Sequence, residues 1–151
     1  MIFFVVSFFL ACLVLGRAES QEIGFGTGQV RIFDEKGLQR AEFSVEVARS
    51  QIQKSRGLMF REELPDSAGM IFLYQRPQIL SMWMANTLIP LDMLFVAGDG
   101  TIVHIHENAV PLSKDIISSG ADVTTVLEIA GGLAERLGIQ QGDVLYFEES
   151  R

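Results

Sequence analysis

The chain has 151 residues, of which 48% are hydrophobic and 21% charged, with a formal net charge of −7. That length is one domain, the apolar content excludes intrinsic disorder, and the acidic balance argues against nucleic acid. The 12 Lys and Arg residues are scattered, with none between Arg76 and Lys114, so no basic stripe is available to neutralise phosphates.

Met1 to Gly16 is an apolar run broken only by Ser7 and Gly16. It is shorter than the roughly 20 residues that cross a bilayer and suits the core of a signal peptide. Gly16 and Ala18 stand at the small-residue positions of a cut after Ala18, although no Lys or Arg precedes the run. Residues 1–18 are therefore expected to be a signal peptide, 19–28 a flexible lead-in and 29–151 a single β domain, periplasmic or secreted. The membrane would be met only through that segment, with an uncleaved anchor as the alternative. Removing 18 of the 151 residues leaves 133, takes away Arg17 and hence makes the charge −8, and removes Cys12, the sole cysteine. Disulfides, thiolate nucleophiles and Cys-ligated metals are then excluded, and the core alone must hold the fold.

Gly24 to Gly28 lacks the spacing of a phosphate loop. Val30 to Phe33 reads as a short strand closed by Asp34-Glu35-Lys36-Gly37. Arg40 to Val47 is the clearest strand, because Phe43, Val45 and Val47 alternate with Glu42, Ser44 and Glu46. Ser50 is a good N-cap for a short helix over about Gln51 to Leu58. After a loop containing Pro65 come short apolar runs at Met70–Tyr74, Leu80–Met84, Leu91–Ala97, Thr101–His106 and Val123–Ile129. A brief helix over Gly131 to Leu137 stops at Gly138, and Val144 to Phe147 is the last strand. About eight closely spaced strands and two short helices predict a mainly β fold, a compact antiparallel sandwich or small barrel.

The loop Gly98-Asp99-Gly100 predicts a hairpin that pairs Ala97 with Thr101, Phe95 with Val103 and Met93 with Ile105. The same register sets Asp92 against His106 and Leu94 against His104 on the other face.

Arg56-Gly57-Leu58-Met59 and the stretch from Met82-Trp83-Met84 through Asn86-Thr87 to Pro90-Leu91-Asp92 resemble the domain-of-unknown-function family number 192. The likeness continues through Gly69-Met70, Phe95, Asp99-Gly100, Glu107-Asn108-Ala109 and Pro111. It ends with Ser119-Gly120, Leu127-Glu128, Ala130-Gly131, Leu137-Gly138-Ile139 and Gly142-Asp143-Val144, and so covers about Ala41 to Phe147. Ala85 stands where the family pattern commonly has Lys, so any role of that lysine does not carry over. The resemblance implies a compact, jelly-roll-like β fold and no particular reaction.

Three chemistries are open. Trp83, Asn86, Thr87, Asp92, Glu107 and Asn108 could line a cleft in which a small polar ligand, glycan or partner protein stacks on indole and meets amide and carboxylate groups. Arg56 could join them, or pair with an acid such as Glu107 or Glu128. His104 and His106 share a strand face and, with Asp92, could make a metal set; the Glu and later His of a cupin-type motif are missing. Met59, Met70, Met82, Met84 and Met93 could add soft donors for copper, against their ordinary use as core filler. A hydrolase would have Asp92 or Glu107 as its base; no Ser lies in a G-x-S-x-G context. The preferred expectation is a non-enzymatic, monomeric binding domain without a cofactor. Processing is directly testable: the cellular protein should begin at or near Glu19 by N-terminal sequencing and lie outside the cytoplasm, whereas cytosolic protein with an intact Met1 contradicts export.

Overall fold

The computed structural model describes residues 23–151; the expected signal segment and the first residues of the lead-in lie outside the described residues. The chain is mainly β. Seven strands, β1 (Gly26–Phe33), β2 (Gln39–Ala48), β3 (Ala68–Met82), β4 (Leu91–Val96), β5 (Ile102–Ala109), β6 (Ile117–Ala130) and β7 (Val144–Glu149), form one sheet in the order β5-β4-β6-β3-β2-β1-β7. Two short helices, α1 (Gln51–Arg56) and α2 (Leu133–Leu137), complete it. The sheet is not a closed barrel. Its two ends meet only at the Thr101–Val144 bridge, where the Ile102 N–H donates to the Asp143 carbonyl at 2.9 Å and Leu145 N–H to Gly100 at 2.8 Å.

Local chemistry accounts for most boundaries. In β2, Ala41, Phe43, Val45 and Val47 are buried while Glu42 and Ser44 face water. Ser50 caps α1 in a reciprocal box with Gln53: Gln53 N–H donates to Ser50 Oγ at 3.2 Å, and Ser50 N–H to Gln53 Oε1 at 2.9 Å. Gly138, in the left-handed region at φ 67°, ends α2.

Three features depart from the sequence expectation. Gly26 to Gly28 belong to β1, because the Phe147 ring packs against Gly28 so closely that a Cβ there would come within 2.4 Å of it. That glycine serves packing. Met70–Tyr74 and Leu80–Met84 are parts of one strand, β3, whose ladder to β6 is irregular between Leu73 and Gln78; Pro77, which has no N–H to donate, sits in that gap. Finally, β2 and β3 run parallel, since α1 and the loop after it return the chain to the same end of the sheet.

The sheet carries apolar groups on both faces. On one, Val30, Phe43, Val45, Ile71, Leu94, Leu127 and Ile129 pack with Leu133 and Ala134 of α2. On the other, Met70, Phe72, Met84, Leu91, Met93, Phe95 and Val126 pack with Leu58, just after α1. Met70, Met84 and Met93 are thus core residues, as filler methionines are.

The β4–β5 hairpin closes as expected, with Ala97 N–H donating to the Thr101 carbonyl at 2.9 Å and Gly100 at φ 91°. Its register differs. Val96 pairs with Ile102 but Phe95 with His104, so Val103 is an extra residue in β5 and every later pairing slips. Leu94 faces Ile105, and Met93 faces His106. The expected Asp92–His106 and Leu94–His104 pairs do not form. All six residues of β4 are buried, Asp92 included, so exposure distinguishes neither face of the strand.

Asp92 has a different task. Its carboxylate, with the residue 0% exposed, accepts from Asn108 N–H at 2.8 Å, Gly132 N–H at 2.9 Å and Ala134 N–H at 2.8 Å. Gly132 cannot cap α2 with a side chain, so a strand 40 residues earlier supplies the cap. The same carboxylate pins Asn108, held at φ 51° where β5 is again irregular. Asp92→Ala leaves three amide donors without their acceptor and should cost about 3 kcal/mol of unfolding free energy. Denaturant unfolding checks this: a loss below about 1 kcal/mol contradicts the clamp.

Candidate functional site

A cleft of about 150 Å³ opens between α1, the Gly57–Met59 turn, β3 and β6. Three of the residues expected to form a binding cleft line it, Trp83, Thr87 and Arg56, as do two of the candidate soft donors, Met59 and Met82. Trp83 is 48% exposed and forms an apolar wall, while Thr87 is buried. Asn86, Asp92, Glu107 and Asn108 are not among the lining residues. Asp92 is committed to backbone donors, and Glu107 and Asn108 are exposed on β5.

Asn86 shapes the site indirectly. It adopts φ 59°, its carbonyl accepts from Phe60 N–H at 2.8 Å, and its amide nitrogen lies 3.9 Å from Met59 Sδ. The neighbouring Thr87 carbonyl accepts from Leu112 N–H at 3.0 Å. Phe60 and Leu112 are themselves left-handed, at φ 65° and 64°, conformations that bulky residues rarely hold. Both are tied to the same Asn86-Thr87 turn, and strained backbone of this sort concentrates at functional sites.

Helix α1 supplies the cations. Lys54 Nζ lies 4.1 Å from the centre of the Tyr74 ring, and the Arg56 guanidinium 4.7 Å from that of Phe60. Burial moves the Lys54 pKa down. None of the ion pairs among the described residues includes Arg56, so the expected pairing with Glu107 or Glu128 is replaced by the aromatic contact.

Glu128 also lines the cleft. It lies on β6 between Met70 of β3 and Met93 of β4, its two cross-strand neighbours, and is only 4% exposed. Burial alone pushes its pKa up to about 8 from an ordinary 4.5. The Tyr74 hydroxyl is moved up as well, first by burial and then by the charge of Glu128. Glu128, Tyr74 and Lys54 are the lining residues that sequence reasoning did not place. The available signal was a lone carboxyl inside the apolar run Val126-Leu127-Glu128-Ile129.

The histidines stand elsewhere. His104 is stacked on Phe95 with centroids 5.5 Å apart, and His106 is opposite Met93, so His104, His106 and Asp92 do not converge. Among the described residues no group of three or more His, Cys, Asp and Glu side chains is arranged to hold a metal ion.

Fold and cleft together define a small single-sheet β domain with one buried, unpaired acid facing a ligand-sized opening. The chain belongs to the DUF192 family, described as an uncharacterized ACR, whose profile matches residues 32–147. It is similar to a crystal structure from Sinorhizobium meliloti 1021, described as a candidate transcription regulator, with 42% identity and a TM-score of 0.80 over 83% of this chain and 97% of that one. It is also similar to a protein of unknown function from Novosphingobium aromaticivorans DSM 12444, with 42% identity and a TM-score of 0.76 over 80% of this chain and 84% of that one. No curated protein matches the chain.

The raised pKa of Glu128 has a consequence for stability. Below pH 4.5 both folded and unfolded chains carry its proton. Between pH 4.5 and about 8 only the folded chain keeps it, so stability falls as pH rises through that window. Glu128→Gln is neutral in both states and should remove on the order of 3 kcal/mol of that fall. Denaturant unfolding from pH 5 to 8 checks this; parallel profiles for the two proteins contradict it.

Proposed function

We propose that the chain is an exported domain that binds a small organic molecule in the cleft between α1, β3 and β6. Trp83 and Tyr74 provide aromatic walls, and Thr87 and Glu128 the polar contacts. The observation that carries this reading is Glu128: a carboxyl on a central strand, 4% exposed, at the surface of a cleft. A purely structural side chain at that position would be apolar, because burying a carboxyl without a partner costs several kcal/mol. A group whose desolvation is relieved only by an incoming ligand marks a binding site.

Size and charge narrow the reading. A cavity of about 150 Å³ suits a molecule of benzene's size or a little larger, not a glycan chain. The regulator description of the Sinorhizobium protein does not transfer easily to a chain of net charge −7 without a basic stripe. Trp83 is the single tryptophan, so its fluorescence reports on the site. Small-molecule fragments screened by NMR should include some that shift the Trp83 indole together with the Gly57 and Thr87 amides. Those shifts should be lost in Trp83→Ala. A screen in which every fragment leaves these signals unmoved contradicts the reading.

A further inference from the structure

We infer that the cleft takes a small aminocarboxylate, its ammonium group on Glu128 and its acidic group toward Lys54 and Arg56; this rests on the binding reading of the cleft. Three acids in the described structure are buried: Asp92, Asp143 and Glu128. Asp92 has its three amide donors. Asp143 has the Arg40 guanidinium at 3.1 Å and the Gln140 N–H at 2.9 Å. Among the described residues Glu128 alone of the three has neither an ion pair nor a hydrogen bond to its carboxyl, although two cations line the same cleft. Those cations lie over Tyr74 and Phe60. The chain therefore holds an unpartnered carboxyl and two cations around one small space without joining them.

Ligand charge follows from that separation. A simple amine would satisfy Glu128 but meet Lys54 and Arg56 unopposed. A simple carboxylate would satisfy the cations and leave Glu128 buried and unpaired. A molecule with both groups answers all three, while its carbon chain lies against Trp83. A hard metal ion would find a single carboxylate here, whereas such ions need several oxygen ligands.

The charged and titratable groups that line the cleft with Glu128 are Lys54 and Arg56 of α1 and Tyr74 of β3, whose phenol is neutral. At neutral pH the free protein holds the Glu128 proton, since burial pushes its pKa up to about 8. Pairing with an ammonium group favours the carboxylate, so the proton leaves to the buffer as the ligand enters.

The purified chain is titrated at pH 7 with γ-aminobutyrate, butylamine and butyrate, following Trp83 fluorescence, and by calorimetry in buffers of different ionisation enthalpy. The aminocarboxylate should bind at least tenfold more tightly than either partner lacking one charge, and should release close to one proton. Glu128→Gln should abolish the proton release and the preference over butyrate. Lys54→Met with Arg56→Met should abolish the preference over butylamine. Butyrate or butylamine binding as well as γ-aminobutyrate, or binding without proton release, overturns the inference and leaves the cleft-binding reading intact. So does failure of γ-aminobutyrate where neutral fragments bind. If neither these probes nor any fragment reaches Trp83, both readings fall. The wild-type comparison and the proton count need no variant to fold.

Discussion

Strand β6 runs through the middle of the sheet, between β3 and β4, and both of its faces are covered, so Val126, Leu127, Glu128 and Ile129 are all buried. A carboxyl in that row is the constraint around which the rest is arranged. Its neighbours along the sheet are the thioethers of Met70 and Met93, which offer little in place of water. Gly69 of β3 comes so close to the Glu128 carbonyl that a Cβ would lie 2.7 Å from it, which keeps β3 tight against this part of β6. Glu128 therefore cannot relax toward solvent by a shift of its own strand. Helix α1 and the turn after it then close over it while leaving an opening.

The contrast with Asp92 sets an acid matched by the fold beside one that is not. Both are buried and on adjacent strands, on opposite faces of the sheet. Asp92 meets fixed backbone donors from β5 and α2, so its charge is matched within the fold and serves to join three elements. Glu128 meets rings, thioethers and a cavity. The cations of α1 that line the same cleft lie over Tyr74 and Phe60 and form no ion pair with it. An acid matched by the fold stabilises it; an acid left unmatched reduces stability near neutral pH and is of use when something else supplies the match.

Much of the fold was legible in the residues. The alternation along β2, the Ser50 cap and the Gly98–Gly100 loop each express a local rule that tertiary packing did not override. The register of β4 was not legible, because a strand buried on both faces carries no alternation and the bulge at Val103 has no sequence mark. That slip carried His104 and His106 to the Met93 and Phe95 face and so separated them from Asp92, which pairs regularly with Ile129 on the face away from the cleft. Trp83, Thr87 and Arg56 were found because their types suggest contacts by themselves. Glu128 was not, since only the three-dimensional pairing shows that the acid in Val126–Ile129 faces a cleft rather than a salt bridge.

The state of Glu128 is the point on which this account rests, and its side chain can be observed directly. The ¹³C resonance of the Glu128 carboxyl, followed by NMR against pH in the ligand-free protein and assigned through Glu128→Gln, should titrate near pH 8. A midpoint near 4.5, the value of an ordinary glutamate, would mean the carboxyl is solvated or paired in the free protein, and the cleft would lose the feature that defines it.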